Sequence, residues 1–280
     1  MPLKRFHETV DGTWGQFFDI ERMLYQADSA FQSIHIFQNR LFGRVLTLDG
    51  VVQTTEADEH LYHEMLVHVP LFSLDTPAEI LIIGGGDGGT AREVLKHPVA
   101  RVTMVEIDGA VIEACRTHMP GLSAGAFDDA RLDLIVGDGI AYVQETDRRF
   151  DAILIDSTDP AGPGEPLFSD AFYAAAAQRL TPDGLVVAQL GMAFLDGPVF
   201  AAKKQRLAGA FPRCGHYEIH VPTYTGGPMG LGWAGHGASP DQPHAVLAER
   251  LAERLADRLP GRDLSLKCYS ARRHRAALAC

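Results

Sequence analysis

The sequence predicts an α/β protein in which a doubly wound sheet, residues 71–280, follows a small β-rich domain that ends in a helix, residues 1–70. Three observations carry that expectation. Short apolar runs recur from Glu79 onward with helix-length segments between them, and the glycine-rich turn Gly84-Gly85-Gly86-Asp87-Gly88-Gly89 follows the first of these runs. Ahead of them, apolar and polar residues alternate with the period of a strand.

In the first domain, Phe31, Ser33, His35 and Phe37 alternate with Gln32, Ile34, Ile36 and Gln38. Val45 to Leu48 then leads through Asp49-Gly50 into Val51-Val52, and Asp-Gly between apolar runs marks a hairpin. Thr55 with Asp58 three residues on resembles a capping box, so a helix is expected from there to Val69, where Pro70 stops it. Beyond Glu79, Ile80 to Ile83, Val102 to Val105, Leu132 to Val136, Ala152 to Ile155 and Leu185 to Ala188 read as buried strands. Pro98, Pro120 and the turn Thr181-Pro182-Asp183-Gly184 punctuate the helices between them. Leu247, Leu251 and Leu255 recur at helical spacing among Glu and Arg, the mark of an amphipathic packing helix.

Composition excludes several classes of function. With 46% hydrophobic and 22% charged residues the chain has the make-up of a globular protein. Its formal net charge of −11 argues against nucleic acid or an anionic membrane as a partner held by bulk charge. The four cysteines, Cys115, Cys214, Cys268 and Cys280, form no CxxC pair, which argues against structural zinc or a disulfide framework. Met1 to Glu8 has no apolar core of a signal peptide, so a cytoplasmic location is expected. His63-Glu64-Met65-Leu66-Val67-His68 is one residue too long for the metalloprotease HExxH, and its two histidines do not share a helical face, so no metal site is expected.

The glycine turn lets a ligand approach the backbone at the end of the first strand, with Gly84 and Gly86 as its close contacts. Glu106 ends the next strand about 20 residues on, where an acid accepts both ribose hydroxyls. Asp138, followed by Gly139, ends the third strand, within reach of an adenine amino group. A helix N-cap is the plainer reading of Asp138 alone, but not of the set. Asp87 narrows the ligand further. Most enzymes with this turn set a carboxylate or pyrophosphate against it, and a carboxylate side chain there repels either one. A sulfonium nucleoside with a cationic tail fits instead. After the fourth strand, Asp156 and Asp159 stand beside the Pro/Gly-rich segment Pro160 to Pro166, either as pocket-facing acids under a closing loop or as ordinary turn residues.

Leu48 to Glu56, Tyr62-His63-Glu64-Met65, the Gly84 to Gly89 turn, Val105 to Asp108, Gly137-Asp138-Gly139, Asp156 to Pro163 and Pro222-Thr223-Tyr224 together resemble the spermidine synthase family, in its bacterial form and in the family order. The resemblance implies a Rossmann-like sheet of the methyltransferase type beside a small N-terminal β-domain, in a homodimer or homotetramer. It implies transfer of the aminopropyl group of decarboxylated S-adenosylmethionine to putrescine, with that donor as co-substrate and no separate cofactor. By the same resemblance Gln32, Glu106 and Asp138 hold the nucleoside and Asp87 the aminopropyl ammonium. Asp156 is the catalytic base or its orienter, and Gln53, Tyr62, His63, Asp159 and Tyr224 line the diamine channel. Ala57, Gly191 and a shortened segment from Lys267 to His274 depart from the family pattern, which leaves cadaverine, agmatine or a longer polyamine as alternative acceptors. The rival classes are an S-adenosylmethionine-dependent methyltransferase, which leaves Asp87 without a purpose, and a non-catalytic polyamine- or nucleoside-binding protein.

Overall fold

In the computed structural model, which describes residues 4–10, 12–158, 162–195, 197–256 and 265–279, the chain opens with two antiparallel sheets. Strands β1 (Lys4–Val10) and β2 (Trp14–Ile20) form a separate ribbon. Strands β3 (Arg22–Asp28), β4 (Ser33–Asn39), β5 (Gly43–Leu48) and β6 (Val51–Thr55) follow as a meander in that order. Asp49 and Gly50 both take the left-handed φ, 49° and 78°, that a two-residue turn between twisted strands requires. The meander is covered on both sides. Ile34, Ile36, Leu46 and Leu48 pack on Val111, Ala114 and Cys115, while Phe37, Val45 and Val52 pack on Phe18 of β2.

Helix α1 spans Glu59–Ser73 and runs through Pro70, which corrects the expected stop at Val69. A proline inside a helix forfeits one hydrogen bond. Here the last turn is wholly buried, and other partners serve its polar groups: Ser73 Oγ donates to the Val69 carbonyl at 2.6 Å. Two arginines of the late helix α8 (His244–Ala256) donate to the carbonyls of Leu71, Phe72 and Leu74. Between α1 and α8 lie the helices α2 (Gly89–Leu95), α3 (Gly109–His118), α4 (Pro120–Ser123), α5 (Gly139–Glu145), α6 (Asp170–Arg179) and α7 (Gly197–Ala210), and α9 (Ala271–Ala277) follows α8.

The main sheet contains β7 (Glu79–Gly84), β8 (Arg101–Glu106), β9 (Leu132–Val136), β10 (Phe150–Asp156), β11 (Leu180–Met192), β12 (Arg213–Ile219) and β13 (Met229–Gly235), in the order β12-β13-β11-β10-β7-β8-β9. Strands β7 to β11 are mutually parallel, and β13 is antiparallel to both of its neighbours. Alternation within each run feeds two cores: Ile80 and Ile82 face α1, α2 and α8, while Leu81 and Ile83 face α5, α6 and α7. The turn expected at residues 181–184 is instead an excursion inside β11, where pairing jumps from Phe150↔Leu180 to Ala152↔Leu185. Chain order reverses between β7 and β10, so a crevice opens at their carboxyl ends. Among the described residues, no helix is long and apolar enough to cross a membrane.

Candidate active site

Four strand ends and one helix build the crevice. At the end of β7, Gly84 takes φ +85°, and a Cβ there would lie 2.1 Å from the Asp156 carbonyl, so only glycine lets the turn rest on the end of β10. The Gly85 N–H donates to that carbonyl at 2.8 Å. From this turn Asp87 projects, its Oδ1 accepting from the Gly89 N–H at 2.7 Å. Glu106, at the end of β8 and 8% exposed, accepts from the N–H of Gly86 at 3.1 Å and of Asp108 at 2.9 Å. Burial pushes its pKa up to about 7, against the backbone donors that favour its charged form. The carboxylate oxygens thus sit where a 1,2-diol can approach.

Asp156 ends β10 and accepts from Thr90 Oγ1 at 2.6 Å, with Tyr62 beside it on the cavity wall. Burial raises its pKa and the neighbouring Asp87 adds to the rise, while His63, Thr90 and Tyr62 pull the other way. His63, one helical turn after Glu59 on α1, sets Nδ1 2.6 Å from Glu59 Oε2 and Nε2 3.4 Å from Asp87 Oδ2. Although burial alone would discharge the imidazole, Asp87 and Glu59 together raise its pKa well above the ordinary value. Glu59 is in turn held at about 2, against its burial, by His63 and by Arg92 Nη2 at 2.7 Å. His68, which the sequence sets five residues beyond His63, turns away to His97 and Glu93.

The remaining residues read from the sequence fall around one cavity of about 310 Å3. Gln32, Gln53, Tyr62, His63, Gly84, Gly86, Asp87, Glu106, Asp138, Gly139, Asp156 and Tyr224 all line it. Asp138 is exposed, and its Oδ1 caps α5 by accepting from the N–H of Ile140 at 2.8 Å, so the N-cap reading and a place at the cavity hold together. Gln32 Nε2 donates to Asp108 Oδ2 at 3.0 Å. Tyr224 Oη donates to the Gln53 carbonyl at 2.7 Å, and its ring meets that of Tyr62 edge to face at 6.0 Å. Asp159, with Pro160 and Ala161, lies outside the described residues. The following 3-10 segment, Gly162–Phe168, brings Gly164 and Leu167 to the cavity.

Sequence reasoning missed Glu8, Met192, Leu195 and Gln189 on the cavity wall and Glu59 behind it. Gln189 is buried, donating from Nε2 to the Ser157 carbonyl at 2.8 Å, while its Oε1 has no hydrogen-bond partner among the described residues. Glu59 was open to discovery, because a Glu four residues before a His on one helix is an ion-pair signature. The far-separated Glu8 and Gln189 carry no such local signal. Chemically, the cavity joins a diol acceptor, two carboxylates facing one spot and an aromatic channel, and it suits a nucleoside with a cation attached.

A family model described as spermine/spermidine synthase domain matches residues 59–241, and a second, spermidine synthase tetramerisation domain, matches residues 6–56. The chain is 49% identical over 230 residues to the polyamine aminopropyltransferase of Ruegeria sp. (strain TM1040), covering 82% of this chain and 81% of that protein. It is 42% identical over 276 residues to the polyamine aminopropyltransferase of Klebsiella pneumoniae (strain 342), covering 98% and 89%. A crystal structure of spermidine synthase in complex with the transition state analogue AdoDATO superposes with a TM-score of 0.91 at 38% identity, covering 99% of this chain and 92% of that one. Spermidine synthase from Thermotoga maritima superposes with a TM-score of 0.88 at 36% identity, covering 99% and 91%.

Proposed function

The chain belongs to the spermine/spermidine synthase family and is an aminopropyltransferase, and on that premise we propose that it moves the aminopropyl group of decarboxylated S-adenosylmethionine to putrescine, giving spermidine and 5′-methylthioadenosine. The observation that carries the donor assignment is Asp87, buried in the glycine turn with its Oδ2 turned toward His63 and the cavity. A donor that keeps its carboxylate is repelled there. One that has lost it presents an ammonium, which Asp87 attracts.

In this reading Glu106 accepts the ribose hydroxyls, Asp138 faces the adenine edge, and the diamine lies along Gln53, Tyr62 and Tyr224 with one nitrogen beside Asp156. The free amine attacks the carbon attached to sulfonium, the C–N bond forms as the C–S bond breaks, and the sulfur keeps the electron pair as methylthioadenosine departs. An alkylammonium near pKa 10.4 is about 3.4 units from neutrality, so presenting the free amine costs roughly 4 to 5 kcal/mol. Asp156, whose basicity burial and Asp87 increase, accepts that proton, and the neighbouring sulfonium makes its loss easier. Holding both reactants in one cavity supplies much of the rest. No step calls on a metal or a second cofactor.

Incubating the protein with decarboxylated S-adenosylmethionine and a panel of amines, with products identified by mass, tests the proposal. Spermidine from putrescine is expected to dominate. A dominant product from cadaverine, agmatine or a longer polyamine reassigns the acceptor, and no transfer to any amine defeats the reading. The assembly is proposed to be a homodimer or homotetramer joined through the first domain, where Trp14 is 46% and Phe17 55% exposed on β2. Sedimentation showing a monomer at micromolar concentration refutes that.

A further inference from the structure

His63 stands beside Asp87, the group to which the proposed function assigns the donor's ammonium. His63 is 3% exposed, and its ring lies against Gly89 so closely that a Cβ there would fall 2.3 Å from Cε1, which fixes the imidazole in place. Each ring nitrogen faces a carboxylate oxygen, Glu59 Oε2 at 2.6 Å and Asp87 Oδ2 at 3.4 Å. A neutral imidazole carries a single N–H and serves only one of two acceptors, whereas an imidazolium serves both. A protonated His63 thus sets a cation beside Asp87.

We infer that, before the donor binds, His63 is the counter-cation of Asp87, held there by Glu59 and Arg92, and that it gives its proton to solvent when the donor's ammonium takes Asp87. The inference rests on the proposed function, since it requires a donor with an ammonium at that place. It makes His63, Glu59 and Arg92 positioning residues rather than groups of the acceptor channel.

The charged and titratable groups around the ring fit this exchange. From α1 come Glu59 and Tyr62, from the glycine turn Asp87, and from β10 Asp156. Behind them on α2, Arg92 pairs with Glu59 at 2.7 Å and Thr90 donates to Asp156 at 2.6 Å. Two cations beside one buried carboxylate repel each other strongly, and the imidazolium is the one that can discharge near neutral pH. After it does so, Nδ1–H still donates to Glu59, and Nε2 becomes an acceptor for the incoming ammonium. Glu59 stays ionised because Arg92 remains its partner. The ring thus changes from rival to ligand by losing one proton.

Calorimetry of donor binding in buffers of different ionisation enthalpy reads the released proton directly. With decarboxylated S-adenosylmethionine the wild-type protein should release on the order of one proton per site near pH 7.5, and its affinity should rise with pH by up to about tenfold per unit. Methylthioadenosine has the same nucleoside and no ammonium. It should lack this component, which also separates it from any proton that Glu106 exchanges at the ribose. His63→Gln should abolish the difference between the two ligands, with methylthioadenosine affinity reporting that the fold is intact. Glu59→Gln, which takes one carboxylate from the ring, should move the release to lower pH. Donor binding without proton release in the wild type, equal release with both ligands, or release that survives in His63→Gln and so comes from Asp156, each overturns the inference. If methylthioadenosine binds and the donor does not, the proposed function itself falls, and this inference with it.

Discussion

His63 and His97 stand toward opposite ends of one buried chain of ionisable groups, and equal burial leaves their pKa values displaced in opposite directions. The chain runs from Asp87 through His63, Glu59, Arg92, Glu93, His68 and His97 to Arg254, each pair within 3.4 Å. At the cavity end carboxylates flank the ring, and they override desolvation to raise the pKa of His63. At the α8 end desolvation is joined by His68 and Arg254, and the pKa of His97 falls well below the ordinary value. Burial acts alike on both, so the partners set the sign. The cavity end is arranged to exchange cations, and the other end to fasten α1 to the last helices.

If that division is right, substitutions at the two ends should separate turnover from stability. The largest effect belongs to Asp156→Asn, expected to lower kcat by on the order of 10² to 10⁴, the range for a positioned base, with little change in unfolding free energy. Its contrast is Glu106→Gln, which should act mainly on donor affinity, by about tenfold to a hundredfold, through the loss of a charged acceptor. Near-normal turnover of Asp156→Asn at saturating substrates would move the base elsewhere, with Asp159 the next candidate.

At the far end, Phe72 is fully buried and stacks on Tyr269 at 5.1 Å, with the Arg254 guanidinium 4.7 Å above its ring. Phe72→Ala should cost about 3 to 5 kcal/mol in urea unfolding while the folded fraction keeps its KM values. A variant of normal stability with damaged kinetics would show that this end is not merely a fastening.

The smallest effect is the most direct test of the opposed signs. His97 has a folded pKa below its unfolded value of about 6.5, so its contribution to stability is present above that pH and is lost as pH falls. His63 has a raised folded pKa, so its contribution is complete below about pH 6.5 and is lost as pH rises through the folded value. In ligand-free protein the stability difference from wild type should therefore shrink on acidification for His97→Gln and on alkalinisation for His63→Gln, each by at most about 1.4 kcal/mol per pH unit. Slopes of the same sign would dissolve the comparison.

The strands, the Asp49-Gly50 hairpin and the acids at strand ends were legible because each rests on local rules: a period of two, a turn that demands left-handed φ, and an acid where a strand stops. Asp87 in its glycine turn is likewise a local feature, and the proposed preference for an ammonium over a carboxylate rests on it. Pro70 misled, since the sequence cannot show that Ser73 and two arginines about 180 residues away serve the last turn of α1. For His63 the pairing with Glu59 one turn earlier was readable from helical spacing, while its approach to Asp87 at 3.4 Å was not. Period and turn chemistry act between neighbours in the chain and are therefore written in it. The meeting of Glu59, His63, Asp87 and Arg92 depends on how α1 packs on α2 across the end of β7, and only the folded chain decides that.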